Sequence, residues 1–196
     1  MAIEDRRQRE RAARRQLIVK TARKLAEAEG WDAVTTRRLS TEIEYSQPVL
    51  YKHFAGMEQI ADAIAIEGFG ELAEVIRAAR SGTGAASGAL TRIAHAYLEF
   101  ARENPAVYDA MFTRATSLRF AADETPPELT AAFAELHQAV ALVADEGDAD
   151  TLTEVFWAAL HGLVTLSRTG RLRPDYDSER LQLLVDQFTS SRQTMR

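Results

Sequence analysis

The chain has 196 residues, 46% of them hydrophobic, and a formal net charge of −5. It contains no cysteine, which excludes disulfides, thiol catalysis and zinc knuckles. Only 10 Gly and 5 Pro interrupt a sequence rich in Ala, Leu, Glu and Arg, so the composition predicts an all-α protein. The chain opens with charged residues and has no run of 18 apolar residues, so we expect a cytoplasmic protein without a membrane span.

Charge is distributed unevenly along the chain. Residues 1–54 hold 12 Lys and Arg against 8 Asp and Glu, whereas the remaining residues hold 12 against 21. A basic N-terminal third followed by an acidic remainder is typical of a chain in which only one end meets phosphate. This asymmetry favours a nucleic-acid contact near the N-terminus despite the negative total.

The N-terminal segment is rich in arginine. Residues 4–15 include six arginines, and we expect this basic arm to begin as a solvated extension and to run into a helix. Most of these side chains are expected simply to be solvated, although such an arm can also contact nucleic acid. The helix is predicted to end at Gly30, with Trp31 folding back against it.

Residues 34–53 predict two short helices joined by a tight turn. Leu39 and Ile43 lie four residues apart on one helical face. Val49, Leu50 and Phe54 supply a second apolar face, so the two helices can pack against each other. The pattern predicts a helix-turn-helix, a unit whose second helix enters the DNA major groove.

The second of these helices is predicted to begin at Ser46, a good N-cap residue, with Pro48 in its first turn. Its outward-facing residues are Gln47, Pro48, Tyr51 and Lys52. Gln can pair with an adenine edge, a Pro ring can touch a thymine methyl, and Tyr and Lys can hold phosphates. The alternative is that any short amphipathic helix pair would show the same apolar pattern.

Further helices are predicted beyond residue 56. A long helix runs to Arg80, and the Gly- and Ser-rich residues 81–88 form a flexible connection. The next helix carries Tyr97 and Phe100, and residues 104–105 cap and start a short one. Another helix opens at residues 126–127, and the acidic residues 145–150 are predicted to be a solvated loop.

The last two predicted helices carry surplus apolar surface. The helix at about residues 151–169 is apolar over more than half its circumference, and the final helix has one apolar stripe. This surplus predicts a homodimer formed by a four-helix bundle, and a helix fully buried within a monomer is the alternative. The predicted interface residues are Phe156, Leu163, Leu181, Leu184 and Phe188.

Three stretches of the first domain carry a family resemblance. Thr35-Thr36-Arg37-Arg38-Leu39, Ser46-Gln47-Pro48 and Leu50-Tyr51-Lys52-His53-Phe54 resemble the DNA-binding domain of the TetR family of transcriptional regulators. The resemblance implies a DNA-binding domain at residues 1–56 and a ligand-binding and dimerisation domain at residues 57–196. The DNA-contacting residues that we expect are Thr35, Thr36, Arg37, Tyr45, Gln47, Pro48, Tyr51, Lys52 and His53.

Two positions depart from the family pattern. Glu44 stands in the turn where the family usually has Gly, so we expect a left-handed backbone there at a cost of roughly 1–2 kcal/mol. Met57 stands where the family often has Lys at the start of the next helix, which removes one expected phosphate contact.

A second resemblance covers roughly residues 90–188. The Trp157-to-Gly162 run and the Phe100-to-Tyr108 stretch resemble the WHG domain, a regulatory domain found behind TetR-type readers. It implies a pocket for a small organic effector of unknown identity. The candidate effector-binding residues are Tyr97, Phe100, Tyr108, Met111, Phe112, Phe133, His137, Trp157 and His161.

Together these features predict a DNA-binding transcriptional regulator, most simply a repressor that a small effector releases from a palindromic operator. A small helical enzyme and a helical scaffold protein are the alternatives. The four histidines show no metal-ligand spacing and no nucleophile–base constellation stands out, so we predict no catalytic residue, no metal site and no cofactor. The expected partners are double-stranded DNA, the effector and a second copy of the chain.

Overall fold

A computed structural model describes residues 2–82, 86–114, 118, 125–144 and 148–190. These residues contain helices and no strand, which confirms the all-α prediction. The α-helices are α1 (Ala2–Glu29), α2 (Thr36–Glu42), α3 (Gln47–Tyr51), α4 (Met57–Arg80), α5 (Ala86–Glu103), α6 (Pro105–Asp109), α7 (Pro127–Val140), α8 (Ala149–Arg168) and α9 (Asp177–Ser190). A 3₁₀ turn covers Trp31–Ala33, and a π-helix covers Ala110–Arg114.

The chain forms two compact units. Unit one comprises Met1–Gly68 and Asn104–Thr125, and unit two comprises Phe69–Glu103 and Pro126–Arg196. Unit one is therefore larger than the segment 1–56 expected from the sequence, since it also contains the first half of α4 and all of α6.

Unit one is built on the apolar face of α1. Ile18, Ala22, Leu25 and Ala26 are buried at the i, i+4, i+7, i+8 spacing of one helical face. The helix ends at Glu29 as predicted, because Gly30 adopts φ 82, a conformation that glycine takes at little cost.

The start of α1 differs from the prediction. Residues 4–15 lie inside the helix and do not form an extension, and their side chains are exposed. The segment is composed mainly of Ala, Arg, Glu and Gln, all strong helix formers. A pair between Arg6 Nε and Glu10 Oε1, 3.6 Å apart at the i,i+4 spacing, adds to this preference.

Helix α6 is held against α1 by polar contacts that span about 80 positions of sequence. The Glu27 carboxylate accepts hydrogen bonds from the backbone N–H groups of Ala106 and Val107, both at 3.1 Å. Asn104 stands at the N-cap of α6 but makes no side-chain cap bond, and its Oδ1 accepts from Arg23 Nη2 at 3.0 Å. Glu27 therefore supplies the cap that the sequence assigned to residue 104.

Trp31 joins the same contact. Its indole N–H donates to the carbonyl of Ala106 at 2.9 Å, so its polar edge is directed at α6. The predicted role of Trp31 was only to close the end of α1. Burying an indole without a partner for its N–H would be costly, and the Ala106 carbonyl removes that cost.

Unit two has a core drawn from α5, α7, α8 and α9. Tyr97, Leu129, Phe156 and Leu181 are each buried there. A buried carboxylate, Glu135, joins α7 to the end of α4 by accepting from Arg77 Nε at 2.8 Å and from Arg80 Nη2 at 2.9 Å.

Two predicted connections are shorter than expected. Helix α5 begins at Ala86, so part of the segment 81–88 is helical, and residues 83–85 lie outside the described part of the chain. The acidic loop ends at Asp148, whose side chain accepts from the Thr151 N–H at 3.1 Å and so starts α8. The local capping signal of Asp148 outweighs the polarity that suggested a longer loop.

Candidate functional site

The turn between α2 and α3 has the geometry of a helix-turn-helix. Helix α2 starts at Thr36 because the Thr35 side chain accepts a hydrogen bond from Arg38 N at 3.2 Å. Glu44 has φ 56, which confirms the left-handed turn predicted at this position. Ser46 is the N-cap of α3 as predicted, although its hydroxyl makes no cap hydrogen bond.

Helix α3 separates its apolar from its polar residues. Leu50 is buried, together with Phe54 just beyond the helix, and both belong to the core of unit one. Gln47, Pro48 and Lys52 are exposed, and Tyr51 is 54% exposed. These four side chains are therefore placed together on one accessible surface.

The other five predicted DNA-contacting residues vary in exposure. Arg37 is exposed, whereas Thr36, Tyr45 and His53 are half-buried. The exposed Thr35 has a structural role as the N-cap of α2, which leaves its hydroxyl proton available for a further acceptor.

Arg37 and Arg38 are adjacent in sequence but differ in charge balance. Arg38 is paired with Glu42 at 2.9 Å and with Glu29 at 3.0 Å. Arg37 forms no ion pair within the part of the chain that the structure describes. Its charge is thus more available to a phosphate than that of its neighbour.

Basic residues of α1 extend this surface, although none of them was individually predicted to contact DNA. Arg15 Nη1 donates to the carbonyl of His53 at 2.9 Å, and its guanidinium carbon lies 4.0 Å from the centre of the Phe54 ring. The only signal in the sequence was the arginine run itself, which does not say which of its members fold onto α3.

A surface groove brings residues of α1 next to the end of α3. The residues that line it are Arg7, Glu10, Arg11, Arg14, Lys52 and His53. The pKa of His53 is lowered, first by partial burial and then by the positive charges of Arg11, Arg14, Arg15 and Lys52. Burial and the surrounding positive charges therefore both disfavour the protonated imidazole.

The nine predicted effector-binding residues are divided between the two units. Tyr97, Phe100, Phe133, His137, Trp157 and His161 belong to unit two, whereas Tyr108, Met111 and Phe112 belong to unit one. Tyr108 and Met111 are buried, and the Tyr108 and Phe112 rings lie 4.6 Å apart.

Within unit two, several of these residues touch each other. The Trp157 indole N–H donates to the hydroxyl of the buried Tyr97 at 3.1 Å, which joins α8 to α5. His137 Nε2 lies 3.1 Å from Asp150 Oδ1, and burial lowers the pKa of His161. Trp157 and His161 lie one helical turn apart and are both half-buried.

A cavity of about 250 Å³ in unit two lies elsewhere. It is lined by His95, Leu98, Glu99, Ala101, Arg102, Val164, Ser167, Arg168, Asp177 and Leu181, and by none of the nine predicted residues. Most of its polar lining is charged, so it does not have the aromatic walls that the sequence suggested.

The predicted interface residues differ in their availability. Phe156 and Leu181 are 0% and 1% exposed, so they belong to the core of unit two and offer no surface to a partner. Leu163, Leu184 and Phe188 are half-buried, and Phe188 packs its ring edge-on against Phe156 at 5.0 Å. This pairing explains why Phe156 is not available to a partner, because the side chain of Phe188 covers it within the same chain.

Apolar side chains that the sequence analysis did not assign to the interface are exposed on the same two helices. Val155 is 54% exposed and Leu166 39% exposed on α8, and Leu183 is 63% exposed on α9.

Within the described residues, no group of His, Asp and Glu side chains could hold a metal ion, and no helix is both long and apolar enough to span a bilayer.

Comparison with known proteins assigns the fold and the family. Residues 18–64 match the model of bacterial regulatory proteins of the tetR family, and residues 90–188 match the tetracyclin repressor-like C-terminal domain. The chain is 32% identical over 171 residues to the uncharacterized HTH-type transcriptional regulator Rv0681 of Mycobacterium tuberculosis, covering 84% of this chain and 74% of that protein.

Solved structures share the fold. A protein of unknown function from Rhodococcus sp. RHA1 aligns with a TM-score of 0.71 at 24% identity, over 90% of this chain and 94% of that one. The TetR family regulator PfmR from Thermus thermophilus aligns with a TM-score of 0.62 at 20% identity, over 91% of this chain and 99% of that one. The chain therefore belongs to the TetR family and is a DNA-binding transcriptional regulator.

Proposed function

We propose that this regulator is a homodimeric repressor that binds a palindromic operator and is released from it by a small organic effector. The observation that carries the proposal is the separation of residues on α3, where Leu50 is buried and Gln47, Pro48, Tyr51 and Lys52 share an accessible surface. This is the arrangement that a recognition helix needs to enter a major groove. The positive environment around His53 supports the same placement of DNA.

Within this proposal, Gln47 and Pro48 contact base edges, and Tyr51, Lys52 and Arg37 contact phosphates. The two roles separate by experiment. Lys52→Ala is expected to weaken binding similarly for specific and random DNA and to reduce the salt dependence of affinity by about one unit of slope. Gln47→Ala is expected to change base preference and to leave the salt dependence unaltered.

A matched control is Lys24→Ala, which removes one charge from an exposed position of α1. Binding is measured by gel shift on the DNA upstream of the chain's own gene and on random DNA of the same length. Equal loss of specific and random binding for Gln47→Ala would contradict its role in base contact. An enzyme or a scaffold protein, the two alternatives, would show no preference for a palindrome.

The dimer is proposed to form through the exposed apolar residues of α8 and α9. Val155, Leu166 and Leu183 leave a large part of their surface in water in a single chain, and a two-fold partner would cover them together with Leu163 and Leu184. Two α3 helices related by that axis would require inverted half-sites at a fixed separation.

Charge placed at this surface tests the dimer. Leu163→Asp or Leu184→Asp is expected to give monomers in sedimentation at micromolar concentration and to abolish tight operator binding. Leu142→Asp is the control, because Leu142 is an exposed leucine of the turn after α7. A monomeric unmodified chain with full operator affinity would refute the dimer proposal.

The effector is proposed to bind in unit two near Trp157, His161 and Phe133, whose half-buried side chains combine apolar walls with polar atoms. Filling this site would shift α4, which continues from unit two into unit one, and so change the spacing of the two α3 helices in the dimer.

Tryptophan fluorescence gives a direct test. With Trp31→Phe as background, Trp157 is the remaining tryptophan, and its emission is expected to respond to apolar compounds that also release DNA. Trp157→Ala and Phe133→Ala are expected to raise the effector concentration that releases DNA. If they lowered the melting temperature but left release unchanged, both residues would belong to the core alone.

A further inference from the structure

Helix α1 extends well beyond the part of the chain that matches the family's DNA-binding domain. The helix begins at Ala2, whereas the match begins at residue 18. Sixteen helical residues therefore precede the matched segment, a length of about 24 Å at 1.5 Å per residue. Side chains 4–17 in this N-terminal part of α1 are exposed, so they contribute little to the core of unit one.

One face of this N-terminal part of α1 carries three arginines, Arg7, Arg11 and Arg14, which we call the arginine stripe. Their spacing of i, i+4 and i+7 places them on the same side of the helix. All three line the groove that also contains Lys52 and His53 at the end of α3. The stripe is thus continuous with the side chain of α3 proposed to contact phosphate.

The stripe is held in a fixed position relative to α3. Arg15, one residue beyond the stripe, donates to the carbonyl of His53 at 2.9 Å and stacks 4.0 Å from the Phe54 ring centre. A helix fixed in this way presents its charges without the ordering cost that a flexible arm would incur on binding.

The charges of the stripe are not neutralised inside the chain. Among the described residues, none of its three members forms a salt bridge, and the groove's acidic residue, Glu10, is paired with Arg6, one helical turn earlier. The pKa of His53 is lowered first by burial and then by this same excess of positive charge.

We propose that the arginine stripe binds the phosphates that continue outward from those contacted by Lys52, so that each protein copy covers more DNA than its recognition helix alone would cover. Arg7 and Arg14 lie seven positions apart, which corresponds to a rise of about 10 Å along the helix. About three phosphates of one DNA strand occupy the same length, at roughly 3.4 Å of axis each. This inference rests on the proposed contact of Lys52 with the DNA backbone.

The test compares two variants that remove equal charge from different faces of α1. The stripe variant is Arg7→Gln, Arg11→Gln and Arg14→Gln. The control variant is Arg9→Gln, Lys20→Gln and Lys24→Gln, three exposed positions that lie about 160–280° from those of the stripe around the helix. Gln preserves helix propensity, and circular dichroism verifies that both variants retain their helix content.

Operator affinity of the full-length chain is then measured as a function of salt concentration. The slope of log affinity against log salt is expected to fall by about 0.9 for each lost phosphate contact, hence by roughly two to three for the stripe variant, and to stay nearly unchanged for the control. Hydroxyl-radical footprinting is expected to show loss of protection at the outer edge of each half-site in the stripe variant alone.

Equal slopes for the stripe and control variants would overturn the inference, as would an unaltered footprint. The same series separates this failure from failure of the proposed function. If the unmodified chain binds and Lys52→Ala lowers the slope while the stripe variant matches its control, only the stripe is refuted. If the unmodified chain binds no duplex, both proposals fail.

Discussion

Two glycines of α4 provide a sharp test of how tightly this helix packs, Gly68 against its neighbours in unit one and Gly70 against its neighbours in unit two. A Cβ added at Gly68 would lie 2.5 Å from Val107 Cγ1 and 2.9 Å from Met111 Sδ. A Cβ added at Gly70 would meet only Glu128, whose Cγ lies at 3.6 Å, an ordinary van der Waals distance. Gly68→Ala and Gly70→Ala therefore make the same change in the same helix and differ in the space available.

The magnitudes follow from two opposing effects. Replacing Gly by Ala inside a helix stabilises it by about 0.8–1 kcal/mol, and this gain is common to both variants. At Gly68 the neighbouring carbon must retreat by about 1 Å to reach a normal contact of roughly 3.5–4.0 Å. Val107 is buried and stiff at χ1, so overpacking is expected to cost about 1–3 kcal/mol. We expect Gly70→Ala to stabilise, and Gly68→Ala to be less stable than Gly70→Ala by about 2 kcal/mol.

Urea unfolding at a fixed protein concentration measures the free energy of unfolding of both variants. In thermal unfolding, the same difference corresponds to roughly 4–8 °C for a chain of this size. Adding Val107→Ala to Gly68→Ala removes the clashing carbon, so the double variant is expected to be more stable than the sum of the single effects predicts. Equal stabilisation by Gly68→Ala and Gly70→Ala would refute the close packing of α4 against the segment that contains Val107.

Three further predictions concern other parts of the chain. Glu44→Gly is expected to raise the free energy of unfolding by about 0.5–1 kcal/mol, because Gly adopts the left-handed backbone at φ 56 without strain. Gly30→Ala is expected to lower the free energy of unfolding by about 1–2 kcal/mol, because Ala is strained at φ 82. Urea unfolding measures both changes. Burial alone would raise the pKa of Glu135, but hydrogen bonds from its two arginine partners outweigh burial and hold this pKa below its ordinary value of 4.5. The contribution of Glu135 to stability is therefore present above pH 4.5 and is lost as the pH falls through the lowered pKa. The difference in the free energy of unfolding between the unmodified chain and Glu135→Gln should therefore shrink as the pH is lowered. A difference that stayed constant would contradict this prediction. Glu27→Gln weakens the charged cap of α6 and is expected to cost about 1 kcal/mol, with faster hydrogen exchange at the Ala106 and Val107 amides as the diagnostic measurement.

Local sequence signals specify the helices and most of their ends. Gly30 stops α1, Pro127 opens α7 and residue 80 ends α4, as predicted, because these signals act within one or two turns of backbone. The left-handed turn at Glu44 was also predictable, since the family resemblance aligns this residue with a turn position usually held by Gly. The early start of α1 was missed although its cause, helix propensity, is equally local.

Which side chains of these helices meet is a property of the folded chain. Periodicity placed Phe156 and Leu181 on apolar faces but could not say whether the chain or a partner covers them, and the structure shows both in the core of unit two. It likewise could not assign Arg15 to the carbonyl of His53, 38 positions away.

The contact between α1 and α6 illustrates the physical reason. Glu27 caps a helix that begins 78 residues later, and a carboxylate on an amphipathic helix gives no local sign of such a distant partner. Helix ends depend on neighbours along the backbone, so the sequence states them directly. Caps, clamps and buried rings between distant segments depend on how all the helices pack at once, and that information exists only in the folded chain.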